Sequence, residues 1–195
     1  MLDAQYWNSR YQQQQTGWDI GYPSTPLATY IDQISNKNIA ILIPGCGNAY
    51  EAKYLMDKGF TNITLVDIAP TVVATLKNEL AMYLSHGLQI IEADFFTLKG
   101  SYDLIVEQTF FCAIDPILRP QYVKQMHALL NDKGKIAGVL FDKKFEVGPP
   151  FGGSILEYEA LFTPYFHIKT MAACYNSIPP RVGAELFVIL EKKSS

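Results

Sequence analysis

From Ile39 onward, short wholly apolar runs alternate with longer stretches in which apolar residues recur at helical spacing. Ile39-Ala-Ile-Leu-Ile43 reads as a strand buried on both faces, and Ile63–Val66, Leu88–Ile91, Tyr102–Val106 and Ile136–Phe141 repeat the pattern. Between the first two runs, Asn48 with Glu51 resembles a capping box and predicts a helix running to Gly59. Pro70 opens a second helix with Val73, Leu76, Leu80 and Leu84 along one side, stopping near Gly87. A third, carrying Val123, Met126, Leu129 and Leu130, extends from about Pro120 to Asn131. Strands alternating with helices mean βαβ units, so the expected fold is α/β: a mostly parallel sheet with helices on both faces. After the Gly/Pro-rich segment Gly148–Gly153, a short helix over Ile155–Phe162 precedes strands at Phe166–Ala173 and Ala184–Leu190. The connection between those strands, Tyr175–Gly183, is short enough for an antiparallel pair at the sheet edge.

The segment ahead of the first strand differs in character. Tyr6, Trp7 and Tyr11 fall on one side of a predicted helix within residues 2–15, and residues 16–26 are dense in turn formers and read as a loop. The chain is therefore read as a single domain, with an arm over residues 1–30 and an α/β core over 31–195. A length of 195 residues fits one domain, and 49% apolar residues exclude a disordered chain. No apolar run approaches the ~18 residues that span a bilayer, and the first residues lack a basic start and an apolar stretch, so neither a membrane span nor a signal peptide is expected. A net charge of −3 without a basic stripe argues against nucleic acid as a partner. Cys46, Cys112 and Cys174 are widely spaced, with no Cys-x-x-Cys pair, which disfavours a disulfide framework or a zinc ribbon and suits a reducing cytoplasm. No metal-ligand cluster is visible in the sequence.

In open α/β sheets, ligands sit beyond the carboxyl ends of the strands. After the first strand, Gly45-Cys46-Gly47 allows close approach of a ligand, but Tyr50 stands where a dinucleotide fingerprint requires a third glycine, which argues against NAD. After the second strand, Asp67 can accept hydrogen bonds from both hydroxyls of a ribose, or simply cap the following helix. After the third, Glu92-Ala-Asp94-Phe95-Phe96 offers an acid for an adenine amino group and an apolar ring face. Together these features describe an adenosine pocket without phosphates. After the fourth comes Glu107-Gln108-Thr-Phe110-Phe111-Cys112, whose phenylalanines either line an acceptor site or pack in the core.

These residues resemble those of class I S-adenosylmethionine-dependent methyltransferases, and more narrowly the thiopurine S-methyltransferase family in its halide/thiol methyltransferase branch. The resemblance spans nearly the whole chain. It rests on Trp7-x-x-x-Tyr11, Gly17-Trp18-Asp19-Ile-Gly21 with Pro26-Leu27, and Ile43-Pro44-Gly45-Cys46-Gly47. It continues through Tyr102-Asp-Leu-Ile, Phe110-Phe-Cys-Ala-Ile-Asp-Pro with Arg119-Pro120, and Gly148-Pro-Pro-Phe151. The resemblance implies a seven-stranded mixed sheet with one antiparallel edge strand, and a monomer. It assigns Trp7, Tyr11 and Trp18 to a cover over the methyl donor, and Gly45 and Gly47 to its methionine end. Asp67 falls to its ribose, Asp94 and Phe95 to its adenine, and Ile68, Glu107 and Gln108 to further donor contacts. Tyr11 stands where the plant halide-methylating relatives carry tryptophan, and Gln108 where they carry tyrosine.

The chemistry agrees. S-adenosylmethionine is a sulfonium cation, and aromatic faces attract a desolvated cation by ~0.5–2 kcal/mol each. Methyl transfer is an in-line displacement, for which alignment is worth up to ~7–11 kcal/mol, assisted by stripping water from the nucleophile. A thiol, hydrosulfide, thiopurine, halide or chalcogen oxyanion needs no strong base, and His86, His127 and His167 stand outside all the motifs. The acceptor-side expectations are Tyr22, Phe110, Phe111, Phe151 and Arg181, with Glu107 as the residue to test for general-base action. Arg119 and Cys112 read as structural. The competing readings are a small-molecule O- or N-methyltransferase on the same scaffold and a non-catalytic S-adenosylmethionine-binding protein.

Overall fold

The structure, a computed structural model, describes residues 2–194. Seven strands form one sheet in the order β3-β2-β1-β4-β5-β7-β6. The strands are β1 Ile41–Pro44, β2 Ile63–Asp67, β3 Leu88–Glu92, β4 Tyr102–Gln108, β5 Leu130–Phe141, β6 Phe166–Ala173 and β7 Glu185–Lys192. The helices are α1 Ala4–Gln12, α2 Thr25–Ile31, α3 Tyr50–Asp57, α4 Pro70–Glu79, α5 Ala81–Leu84, α6 Arg119–Leu129 and α7 Ile155–Phe162. β1 to β5 pair in parallel, and β7 pairs antiparallel with both β5 and β6. Among the described residues no helix is long and apolar enough to cross a membrane.

The continuous apolar runs are explained by burial on both sides. In β1, Ile41 and Ile43 face one core with α2, α3 and α4, while Leu42 faces a second core with α6 and α7. Each core covers one face of the sheet, so alternate residues of the same strand are buried in different layers. Leu27 and Ile31 of α2 are fully buried in the first core, so part of the expected arm belongs to the body of the domain.

Several local expectations are corrected. The capping box at Asn48 and Glu51 does not form: α3 begins after Ala49 in left-handed conformation (φ 52°), and Asn48 and Glu51 bond instead to the arm and the segment after it. The helix from Pro70 ends at Leu80, where the backbone leaves helical geometry (φ −103°, ψ 17°). Ala81–Leu84 is a separate turn, and the change of axis takes Leu84 off the apolar face to 43% exposure. β5 starts at Leu130, because its first residue pairs with Tyr102 ahead of an irregularity in the ladder. The antiparallel pair expected at the sheet edge is present, with β6 outermost and β7, one place in, running against both of its neighbours.

Candidate active site

The carboxyl ends of β1, β2, β3 and β4 converge on the turn after β1. Gly45 and Gly47 both take positive φ (+56° and +50°). A Cβ on Gly45 would lie 2.2 Å from Cδ2 of Phe110, and one on Gly47 would lie 3.0 Å from the Tyr11 hydroxyl. At Gly45 no side chain fits without displacing Phe110, and at both positions the left-handed backbone favours glycine. Asp67, at the end of β2, is 7% exposed; its Oδ2 accepts from Gly47 N–H (3.0 Å) and its Oδ1 from Ala69 N–H (2.9 Å). The carboxylate thus ties the first turn to the second, with half-buried Ile68 between its anchor points. Burial raises the Asp67 pKa, and the bonds to Ala69 and Gly47 oppose that rise. Asp94 is exposed and caps the short turn Phe95–Thr97 through Phe96 N–H (2.9 Å). Phe95 is buried, its ring centroid 5.1 Å from that of Phe110 and 5.6 Å from that of Tyr122.

The arm folds onto this turn. None of the α1 side chains is buried, and the helix is held by specific contacts. Asn8 Oδ1 accepts from Thr71 N–H at 2.8 Å, capping α4 from outside, because Ala69 at its own cap position has no side-chain acceptor. The Trp18 ring stands edge-on to Trp7 (5.5 Å between centroids) and to Tyr11 (5.9 Å). Burial, with the nearby Asp67 and Cys46, pushes the Tyr11 phenol well up from its ordinary value. The loop after Trp18 is fastened by Asp19, whose Oδ2 accepts from Asn48 Nδ2 (2.5 Å) and Tyr50 Oη (3.1 Å) while Oδ1 accepts from Gly21 N–H (2.8 Å).

On the opposite side of the turn, Glu107 is 1% exposed near the end of β4. Its Oε1 accepts from Phe110 N–H (2.8 Å) and Phe111 N–H (2.9 Å), and its Oε2 from Tyr122 Oη (2.5 Å). Burial pushes the carboxyl up to about 6, against these three donors. Glu107 therefore shapes the loop, which turns at Thr109 (φ 59°) and sets the Phe110 ring over Gly45. Glu107, the residue to test for general-base action, is a buried acceptor with both oxygens engaged. Gly138, opposite Glu107 in the β4–β5 register, supplies the space: a Cβ there would lie 2.5 Å from Glu107 Cβ.

The two expected acceptor-side phenylalanines of this loop part company. Phe110 stays half-buried beside the glycine turn. Phe111 is 1% exposed among Tyr122, Tyr158 and Phe162, so its expected place at the acceptor site is corrected to the core. The Arg119 guanidinium lies 4.6 Å from the Phe111 ring centroid and donates to Glu157 (2.9 Å) and to the carbonyls of Phe151 (3.2 Å) and Gly152 (2.9 Å). Phe151 N–H in turn donates to Cys112 O at 2.7 Å, which braces the loops after β4 and β5 together. Arg181 Nη2 donates to Trp18 O at 3.0 Å and Nη1 to Glu185 at 3.4 Å, joining the arm to β7. Tyr22 is 45% exposed. Cys112 is buried with its thiol pushed up to about 12, chiefly by burial, consistent with packing rather than nucleophilic attack. The contacts missed by sequence reasoning are those between residues distant in the chain: Asn8 with Thr71, Tyr122 with Glu107, and Asn48 and Tyr50 with Asp19. Tyr122 sat within a helical apolar pattern and gave no separate signal.

A nucleoside-bearing methyl donor fits these residues on two structural grounds. The glycine turn offers backbone without side chains beside the Asp67 carboxylate. At the end of β4, Gln108 Oε1 is buried and without a hydrogen-bond partner among the described residues. Comparison with known proteins agrees. The family profile described as thiopurine S-methyltransferase matches residues 2–189. A probable thiol methyltransferase 2 of Arabidopsis thaliana is 31% identical over 201 residues, covering 97% of this chain and 85% of the relative. The thiocyanate methyltransferase 1 of the same plant is 28% identical over 189 residues, covering 92% and 81%. Among solved structures, a Burkholderia thailandensis 1,6-didemethyltoxoflavin-N1-methyltransferase with bound S-adenosylhomocysteine superposes with a TM-score of 0.78 at 17% identity, covering 98% of this chain and 87% of that one. The chain belongs to the thiopurine S-methyltransferase family, and is a class I enzyme that uses S-adenosylmethionine as its methyl donor.

Proposed function

We propose that this enzyme moves the methyl group of S-adenosylmethionine to a small soft nucleophile: a thiol, hydrosulfide, thiopurine, halide or chalcogen oxyanion. The observation that carries this reading is the state of Glu107. Its Oε1 accepts from two loop N–H groups, its Oε2 accepts from Tyr122, and the group is 1% exposed, so the carboxylate is turned into the protein and away from any oxygen or nitrogen acceptor that would need a base. An acceptor that is already anionic or polarisable removes that need, and the curated relatives named for thiols and thiocyanate point the same way.

In this reading Asp67 holds the ribose, each oxygen retaining a lone pair beside its backbone bond. Ile68, Asp94 and Phe95 flank the adenine end, and Gly45, Gly47 and Gln108 meet the methionine end. Trp7, Tyr11 and Trp18 exclude water and face the sulfonium, an arrangement favoured by their mutual edge-on packing. Bound there, the donor supplies a methyl carbon already activated for displacement. Tyr22, Phe110 and Phe151 shape the acceptor side, and Arg181 contributes the positive charge that suits an anion. We further propose a monomer acting on small molecules without a metal, working in the cytoplasm, where its unpaired cysteines stay reduced.

The test is methyl transfer from radiolabelled S-adenosylmethionine to iodide, thiocyanate, hydrosulfide, an aromatic thiol and a catechol, with volatile and extractable products counted separately. Transfer to the thiols or anions is expected. Transfer to the catechol alone would overturn the soft-nucleophile reading.

A further inference from the structure

We infer that Asp19 is the positioning residue that latches the aromatic arm over the donor site, with Asn48 and Tyr50 as its catch. The inference rests on the reading of Trp7, Tyr11 and Trp18 as the donor's cover. Three observations carry it. First, no residue of the arm helix is fully buried, and Trp7 and Tyr11 pack only partly against the first core, so polar ties share in fixing its position. Its ties to the body include Asn8 to Thr71, Trp18 O to Arg181, and the Asp19 cluster. Second, the Asp19 carboxylate sits between Trp18 and the glycine turn, joining them directly. It receives one donor from its own loop, Gly21 N–H, and two from the residues that follow Gly47, the amide of Asn48 and the hydroxyl of Tyr50. Third, Tyr50 occupies the place where a dinucleotide-binding chain keeps glycine. Here the ring is tolerated at the start of α3, and its hydroxyl reaches out of the turn to the arm, 31 residues away in sequence.

A carboxylate bonded to three donors in this half-buried setting forms charge-assisted bonds stronger than neutral ones. The latch forms between groups that the donor itself does not supply. The closed arm is therefore organised by the chain's own groups, and opening it requires breaking the bonds to Asp19 together with the Asn8–Thr71 and Trp18–Arg181 ties. Loss of the latch is expected to act on donor residence, leaving the acceptor's apparent affinity unchanged.

The chain provides its own probe. Its two tryptophans, Trp7 and Trp18, are both in the arm, so tryptophan fluorescence reports on the arm alone. The experiment follows binding and release of S-adenosylmethionine, without acceptor, by stopped-flow tryptophan fluorescence. It compares the unaltered protein with Asp19→Ala, Asn48→Ala, Tyr50→Phe and the Asp19→Ala/Tyr50→Phe double variant. Asp19→Ala is expected to release the donor about tenfold faster, the scale of a lost charge-assisted bond. Tyr50→Phe should release it about threefold faster, and the double variant no faster than Asp19→Ala alone, since both remove the same contact. Steady-state assays should show the KM for S-adenosylmethionine raised and the KM for an aromatic thiol unchanged. A role limited to stability would lower the unfolding temperature of all four variants and leave donor release where it was; that result overturns the latch. Tyr50→Phe and Asn48→Ala leave the arm loop intact and decide the matter if Asp19→Ala fails to fold. If the unaltered protein binds no S-adenosylmethionine, the donor reading itself fails. If it binds and every variant releases the donor at the same rate, the latch alone fails.

Discussion

Glu107 stands where a catalytic acid would be sought, near the end of β4, yet it is 1% exposed and bonded to three donors. Its carboxyl is held at about 6 rather than 4.5, so the folded protein binds the proton more tightly than the unfolded chain. Its contribution to stability is therefore present below about pH 4.5 and lost as pH rises through about 6, a change of about 2 kcal/mol. Burial also raises Asp67, Glu51 and Glu185, so the raw pH curve sums several groups. The difference between the unaltered protein and Glu107→Gln isolates this one. The glutamine carbonyl can accept both loop N–H groups while its amide faces Tyr122. Denaturant unfolding from pH 4 to 8 should show the unaltered protein losing about 2 kcal/mol relative to the variant. Methyl transfer to a thiol should persist in Glu107→Gln; its loss with donor binding intact would make Glu107 a base after all. At Asp67 the expectation is the reverse, a direct effect on binding. Asp67→Ala removes the acceptor for Gly47 N–H and the proposed ribose contact, and calorimetry should report S-adenosylmethionine affinity weakened about tenfold or more. Single residues were legible where chain position alone decided their place, as with Gly45, Gly47 and Asp67. They were illegible where one side chain had two destinations: Phe110 and Phe111 are adjacent and chemically identical, and only the turn at Thr109 sends one to the glycine loop and the other to the core.

Elements were legible wherever burial on both sides of the sheet wrote a wholly apolar run, which is why the strand centres match and the helix termini less so. The capping signal at Asn48 failed because its side chain found a partner in the arm, a contact that no local pattern records. The place of β7 inside the edge was equally hidden, since a hairpin between the last two strands is compatible with either order. The pairing of β4 with β5 offers the sharpest test at this scale. Glu107 lies opposite Gly138, and a Cβ on Gly138 would meet Glu107 Cβ at 2.5 Å and its backbone oxygen at 2.9 Å. The oxygen belongs to the ladder and cannot turn aside, so the two strands must separate or Glu107 must leave its donors. Gly138→Ala is expected to destabilise the protein by about 2–3 kcal/mol, the scale of overpacking in a close-packed core. Denaturant midpoints at constant slope would register it, and a midpoint unchanged from the unaltered protein would contradict the register.

At the scale of the whole molecule, the sheet with its two cores forms a body that does not depend on the first helix. The body is closed by Leu27 and Ile31 of α2, which the sequence pattern left partly in a loop because Pro26 and its neighbours signal a turn before they start a helix. α1 buries no residue of its own, although Trp7 and Tyr11 pack partly against the first core. Removing residues 2–18 takes away the Asn8 cap on α4, worth about 1 kcal/mol, and the Trp18 carbonyl that Arg181 holds. It leaves α2, every strand and both cores in place. The truncated chain should therefore unfold cooperatively at a temperature lowered by only a few degrees, roughly 2–4 °C per kcal/mol for a domain of this size. Turnover should nonetheless vanish, because the proposed aromatic cover over the turn is gone. Thermal unfolding read beside transfer from radiolabelled S-adenosylmethionine separates the two effects. A folded truncated protein with undiminished transfer would mean that the arm is an appendage, and that the glycine turn, Asp67 and Phe110 hold and align the donor unaided.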